Sequence, residues 1–286
     1  VHGLREIWQT FAKNRGAVLG LIVVTAVSFV ALAAPLIAPY DPTAIQDGSF
    51  LVPPMWSDGG SANFWLGTDD VGRDLLSRLV HGARVSMMAG LLVVIFSSTA
   101  GVLLGLFAGY WGGWFDRSVM RLVDIIMALP AILVALVIIT VLGQSLVNAV
   151  IAVSVTAIPG FVRLVRAQVL IEKRKNYIIA SSTFGAGTFR QVFLNILPNC
   201  AAPVIVQASL AFSDGILNVA GLGFLGLGAK APTPEWGTML SDARGFIESA
   251  SWLVTLPGLC ILMVVLAFNL LGDGLRDALD PRLKTS

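Results

Sequence analysis

Residues 125–162 read IIMALPAILVALVIITVLGQSLVNAVIAVSVTAIPGFV, thirty-eight consecutive positions without a charge. A membrane-spanning helix takes about 20 apolar residues. One helix cannot use the whole run, so two are expected, with Gly143-Gln144 as the turn between them. That places spans near 119–142 and 145–166. On the N-terminal side, 25 uncharged residues lie between Arg15 and Asp41, and 31 lie between Arg84 and Asp116. On the C-terminal side, further spans are expected near 199–222 and 251–272. The chain is therefore expected to be an all-α integral membrane protein with six transmembrane helices.

Composition agrees with this reading. The 286 residues are 56% hydrophobic and 13% charged, against about 25% charged in a soluble domain. A soluble chain of this size cannot bury so much apolar surface. Nineteen Lys and Arg against seventeen Asp and Glu leave a net charge of +2, too balanced for a nucleic-acid partner. Arg5, Lys13 and Arg15 precede an apolar run too long for a cleavable signal, so a first membrane span is expected there. Basic residues concentrate on the cytoplasmic side of membrane proteins. With the N-terminus inside, fourteen Lys and Arg fall inside and five outside (Arg73, Arg78, Arg84, Lys230 and Arg244). An N-in, C-in chain is expected. The expected organisation is a cytoplasmic segment 1–16, a first span 17–38, a periplasmic segment 39–84, and a core 85–286 holding five spans and a cytoplasmic loop at 167–198.

No catalytic constellation emerges. Gly221-Leu-Gly223-Phe-Leu-Gly226 matches a dinucleotide fingerprint, but it ends an apolar run and Pro232 and Pro234 follow. The fingerprint needs a strand before it and a helix after it, so a glycine-rich turn or close packing is expected instead. There is no P-loop motif. His2 and His81 are far apart, and Cys200 and Cys260 lie in apolar runs, so no metal site and no disulfide are expected. Gly101, Gly105 and Gly109 recur every four residues, with Gly113 continuing the series. That spacing suits close helix packing, either within the chain or to a partner span. Ionisable groups inside spans are costly and therefore candidates for function. Asp214 is the one charge between Gln191 and Ala229. It either lines a polar path or faces water at a helix end. Ser209, Ser213, Asp214 and Asn218 are expected to share one face of the fifth span. Arg121 and Asp124 are expected to form a local ion pair.

The longest cytoplasmic segment runs from Arg163 to Pro198. It contains Asn176-Tyr177-Ile178-Ile179-Ala180-Ser181, then Gly185-Ala186-Gly187, then a stretch with Phe189, Val192, Phe193 and Ile196 at helical spacing, and Leu197-Pro198. A helix–glycine–helix with apolar side chains is expected, with Pro198 starting the fifth span. Such a unit suits a groove on a soluble partner or the lipid surface.

This loop resembles that of the inner-membrane permease subunits of binding-protein-dependent ABC importers, in which Glu-Ala-Ala, three residues, Gly and a later Leu-Pro recur. Here Ile179-Ala180-Ser181, Gly185 and Leu197-Pro198 stand at those positions, with Ile179 in place of the glutamate and Ser181 in place of the second alanine. Other stretches extend the resemblance to the dipeptide, oligopeptide and nickel permeases: Leu66-Gly-Thr-Asp-Asp-Val-Gly-Arg-Asp74, Asp124-Ile-Ile-Met-Ala-Leu-Pro130, Pro232-Thr-Pro-Glu-Trp-Gly237 and Asn269 to Pro281. Ala38-Pro-Tyr-Asp-Pro42 points to the C-type subunit of the pair, closest to that of dipeptide systems.

The resemblance implies a type I, MetI-like importer permease in the bacterial inner membrane. It implies a second homologous permease subunit, two ABC ATPase subunits and a periplasmic substrate-binding protein as partners. ATP and Mg2+ belong to the ATPases, and this chain carries no cofactor and no catalytic residue. The loop, with Tyr177, Ile179, Ala180, Ser181, Gly185, Ala186, Gly187, Leu197 and Pro198, is implied to be the coupling helix that docks into the ATPase. The face with Ser209, Ser213, Asp214 and Asn218 is expected to line the path. Segment 228–250, with Trp236 and the nearby Trp252, is expected either to face the binding protein or to serve as an aromatic interface anchor. Relatives carry dipeptides, longer peptides, nickel chelates and haem. An ion-coupled transporter with Asp214 as coupling group, and a non-transporting scaffold, are the competing readings.

Overall fold

The computed structural model describes residues 2–279. Asp280, Pro281, Arg282 and Lys284, which entered the charge count or the tail motif, lie outside the described residues. The chain is helical: α1 (His2–Lys13), α2 (Arg15–Leu32), α3 (Ala34–Ile37), α4 (Leu75–Trp111), α5 (Gly113–Met127), α6 (Ala131–Leu142), α7 (Leu146–Glu172), α8 (Asn176–Thr183), a π-helical stretch (Arg190–Ile196), α9 (Leu197–Phe224), α10 (Trp236–Asp242) and α11 (Trp252–Leu279). Five helices are long and apolar enough to cross a membrane: α2, α4, α7, the continuous Arg190–Phe224 unit and α11. A sixth arises if α5 and α6, bent by 95° at their junction, are counted as one span.

That bend corrects the expectation of a single third helix over 119–142. Pro130 has no N–H and pushes the residue before it out of helical geometry. It caps α6 with extended backbone, and the 12 residues of α6 reach only about 18 Å at 1.5 Å per residue. The turn expected at Gly143 is present, with φ +87°, and Ser145 caps α7 by accepting from the Asn148 N–H at 3.1 Å.

Two other helix ends also differ. Helix α2 stops at Leu32 and the chain resumes as α3, with Pro35 in its first turn. Helix α4 begins at Leu75, inside the expected periplasmic segment 39–84. Asp74 starts it by accepting from the Ser77 N–H at 2.8 Å, a side-chain cap that satisfies an otherwise unpaired donor.

Close backbone approach organises the bundle. Gly101, Gly105 and Gly109 turn one edge of α4 onto α7. A Cβ at Gly101 would lie 2.4 Å from the Phe161 Cβ, and one at Gly109 would lie 2.8 Å from the Val169 Cβ. The partner of the glycine series is thus a helix of the same chain. Gly113 does not continue it: it sits at the α4–α5 break with nothing within 4 Å of a Cβ. Helix α2 packs on α11, where Gly20 meets the Ala267 carbonyl and Gly274 meets Ala17. Phe212 of α9 stacks on Phe268 of α11 at 3.8 Å between centroids.

The segment between α3 and α4 is a built structure. Leu51 N donates to the Asp69 carbonyl at 3.0 Å and Thr68 N to the Val52 carbonyl at 2.9 Å. Asp69 pairs with Arg73 at 2.6 Å and with Arg78 at 3.4 Å. Arg78 also donates to the carbonyls of Pro42 at 3.1 Å and Pro232 at 3.3 Å. The Gly-Thr-Asp-Asp-Val-Gly-Arg-Asp stretch therefore clasps this segment to α4 and to the approach to α10.

Helix α10 is tucked into the bundle. Gly237 lies against the Ala220 backbone, and Trp236 is buried, its Nε1 donating to the Leu79 carbonyl at 3.1 Å. Trp236 is thus neither an interface anchor nor an outward contact but a core side chain.

Candidate functional site

The loop between α7 and α9 is stiff because polar side chains tie its parts together. Helix α8 ends at a turn where Gly185 takes φ +80°, a left-handed conformation that costs other residues about 1–2 kcal/mol. Gln191 bridges the turn: its Nε2 donates to Ser182 Oγ at 2.8 Å and to the Ala186 carbonyl at 2.9 Å. Its Oε1 accepts from the Tyr110 hydroxyl of α4 at 2.8 Å. Asn195 donates to Ser181 Oγ at 3.0 Å. Beneath these bonds Ile178 is buried among Leu106, Val165, Val169, Val192, Ile196 and Cys200.

The expected second short helix is instead a π-helical stretch that runs straight into α9. Pro198 sits in the first turn of α9, at the expected start of that helix, and the π-helical stretch leads into it without a break. A proline ring crowds the carbonyl four residues before it, and the wider π-turn makes room, with the Leu197 N–H donating to the Val192 carbonyl. The apolar stripe is correspondingly split. Val192 and Ile196 face the core, whereas Phe184 is 90% and Phe189 71% exposed. Ile179, Tyr177 and Leu194 also face outward. Gly187 is exposed too, and a Cβ at Gly185 or Gly187 would meet nothing within 4 Å. The loop therefore presents an open surface with two prominent phenyl rings.

Tyr177 sits where α7, α8 and α9 meet. Its hydroxyl donates to Glu172 Oε2 at 2.6 Å and accepts from Asn199 Nδ2 at 3.1 Å. Glu172 Oε1 accepts from Lys175 Nζ at 2.6 Å. Desolvation, reinforced by the Glu172 carboxylate, pushes the Tyr177 hydroxyl up to about 12, so it keeps its proton at physiological pH.

Two ion pairs join α5 to α7. Asp124 pairs with Arg163 of α7 at 2.6 Å, not with Arg121 as expected. Positions three apart lie on neighbouring parts of one helix surface, but the packing of α5 on α7 supplies a closer guanidinium. Asp116 holds Arg166 through both oxygens.

Helix α9 does not carry the four expected path residues on one face. Ser209 and Ser213 are buried, with Ser209 against Gly272 of α11 and the Ser213 hydroxyl donating to the Val265 carbonyl at 3.2 Å. Asp214 is exposed, and Asn218 donates to the Asp214 carbonyl at 2.7 Å. Adjacent residues on a helix diverge by about 100°, which separates the 209/213 pair from the 214/218 pair. Among the described residues no ion pair involves Asp214, and no His/Cys/Asp/Glu cluster is arranged to hold a metal.

The glycine-rich 221–226 stretch closes α9. Gly223 lies against the Glu235 carboxylate, and Gly226 turns with φ +80°. Sequence reasoning passed over Glu235, which is fully buried and accepts from the Gly237 and Thr238 N–H groups at 2.7 and 2.9 Å. The available signal was a carboxylate directly before a short helix.

Residues 101–285 match the family described as binding-protein-dependent transport system inner membrane component, and residues 4–54 match the N-terminal TM domain of oligopeptide transport permease C. The chain is 57% identical over 281 residues to the dipeptide transport system permease protein DppC of Escherichia coli K12, covering 98% of this chain and 94% of that protein. It is 54% identical over 283 residues to the di/tripeptide transport system permease protein DppC of Pseudomonas aeruginosa, with 99% and 93% covered. Among solved structures, an inward-facing MetNI methionine ABC transporter chain matches with a TM-score of 0.58 at 20% identity. That match covers 72% of this chain and 98% of the other, a likeness of fold.

Proposed function

The chain belongs to the inner membrane components of binding-protein-dependent transport systems, and from that premise we propose that it forms part of the membrane path of an ATP-driven importer of dipeptides and similarly short peptides. The near full-length similarity to dipeptide and di/tripeptide permeases carries this reading. A second homologous subunit completes the path, two ATPase subunits bind ATP and Mg2+, and a periplasmic binding protein delivers the peptide. The chain crosses the membrane six times, with α5 and α6 counted together and both termini in the cytoplasm.

Mechanical work enters through the loop 176–189. Its exposed Phe184 and Phe189 seat in a cleft of the ATPase, and closure of that cleft moves a unit already stiffened by Gln191 and Asn195. The movement tilts the spans and alternates access to the path. Asp214 and Asn218 line the path. Ser209 and Ser213 instead fasten α9 to α11.

Uptake of a radiolabelled dipeptide in cells with and without this subunit tests the function. Uptake should require the subunit and ATP and survive collapse of the proton gradient. Loss with the gradient at constant ATP would replace this reading by ion coupling through Asp214. For the loop, Gly185→Trp places bulk on the open surface and a side chain at φ +80°. It should abolish uptake without preventing membrane insertion, and normal uptake would refute the ATPase-contact role.

A further inference from the structure

We propose that Tyr177 is a positioning residue: a strut that makes the loop move α7 and α9 together, with Glu172 and Asn199 as its two anchors. The inference rests on the reading of 176–189 as the ATPase-contacting segment. A rigid loop transmits displacement only if it is fixed to the spans in a defined direction. The apolar seat of Ile178 does not supply one, because hydrophobic contact is non-directional. Hydrogen bonds do.

The geometry at Tyr177 is that of a cross-tie. Glu172 is the last residue of α7 and Asn199 lies in the first turn of α9. One hydroxyl reaches both, donating to the first at 2.6 Å and accepting from the second at 3.1 Å. Each anchor is itself held. Glu172 is 5% exposed, with its other carboxylate oxygen engaged by Lys175. The Asn199 amide also donates to the Asn195 carbonyl at 2.7 Å. A charge-assisted bond to a buried carboxylate is stronger than a neutral one, so the α7 end is the firmer. The tie also bears on the departure from the family loop. Ile179 stands at its acidic position and carries no charge, while the carboxylate of this loop region lies at its root, turned inward.

The test uses the whole transporter purified through this chain and reconstituted in vesicles. Dipeptide taken up and ATP hydrolysed are measured together, with ATPase co-purification recorded. Tyr177→Phe removes only the hydroxyl. The expected result is normal co-purification and about a tenfold fall in dipeptide moved per ATP, the scale of one charge-assisted hydrogen bond. Adding Asn199→Ala to Tyr177→Phe should cost nothing more in that ratio, because residues acting through one shared bond are non-additive.

An unchanged ratio in Tyr177→Phe overturns the strut, as does an additive double variant. Loss of ATPase co-purification also overturns it, since the hydroxyl would then belong to the partner contact. If Tyr177→Phe does not accumulate, Glu172→Gln, which keeps the shape and removes the charge, decides by the same ratio. Gly185→Trp is run alongside. If it uncouples while Tyr177→Phe does not, the strut fails and the loop reading stands. If neither uncouples, the loop reading fails and the strut with it.

Discussion

Replacing Gly101 by alanine should measure how tightly α4 is laid on α7. The added Cβ would lie 2.4 Å from the Phe161 Cβ and 3.0 Å from the Ile158 carbonyl oxygen. Carbon atoms in contact prefer about 3.5–4.0 Å, so α7 has to retreat by roughly 1–1.5 Å or the bundle must carry the clash. Phe161 is fully buried and its Cβ is tied to the helix backbone, so rotamer change gives no relief. Overpacking of this kind costs about 1–3 kcal/mol, and the upper end applies here. Alanine's better helix propensity returns about 0.5–1 kcal/mol. The net loss is then about 2 kcal/mol. Gly258→Ala in α11, where a Cβ meets nothing within 4 Å, gains the propensity alone. The two variants should differ by about 3 kcal/mol, roughly 6–12 °C at about 2–4 °C per kcal/mol. Thermal unfolding in detergent, followed in a Cys260→Ala background with a thiol-reactive fluorophore that reports exposure of buried Cys200, reads the difference. Gly105→Ala and Gly109→Ala, whose nearest approaches are both 2.8 Å, should fall between. If Gly101→Ala unfolds at or above the temperature of Gly258→Ala, the close α4–α7 approach is wrong.

Three further outcomes follow from the same structure. Glu235→Gln leaves one of two backbone donors without an oxygen, because both carboxylate oxygens are in use; a loss of about 1–3 kcal/mol and faster hydrogen exchange over 236–242 are expected, and unchanged exchange there contradicts the capping role. Asp116→Asn and Arg166→Gln in a double-mutant cycle should show coupling of about 1 kcal/mol, kept small because the side chains are 16% and 29% exposed; zero coupling would mean the pair does not bind α5 to α7. Asp214→Asn should retain dipeptide uptake that resists collapse of the proton gradient, and its abolition would support a proton-coupling role instead.

Much of this architecture is written in one dimension. A membrane helix needs a long apolar run and a break needs a proline or a glycine, both local properties, so the helical class and the turn at Gly143 were legible directly. The glycine series announced a close approach, because any residue at that spacing falls on one helix edge. The loop motif pointed to the segment between α7 and α9, and the matches along the chain agree at family level.

Tertiary structure decided the rest, since partners distant in sequence compete for the same groups. Asp124 had a guanidinium three residues away and took Arg163 of another helix. Ser213 and Asp214 are neighbours in sequence, yet one is fastened to α11 and the other left open, because α11 covers only one side of α9. Trp236 reads as an interface residue from sequence, but Gly82 of α4, where a Cβ would lie 2.9 Å from the Trp236 Cδ1, leaves the space that buries it. Glu172 and Asn199 lie 27 positions apart in sequence, with Tyr177 between them. They meet only because the end of α7 lies beside the start of α9, and packing, not spacing, brings three helices to one hydroxyl.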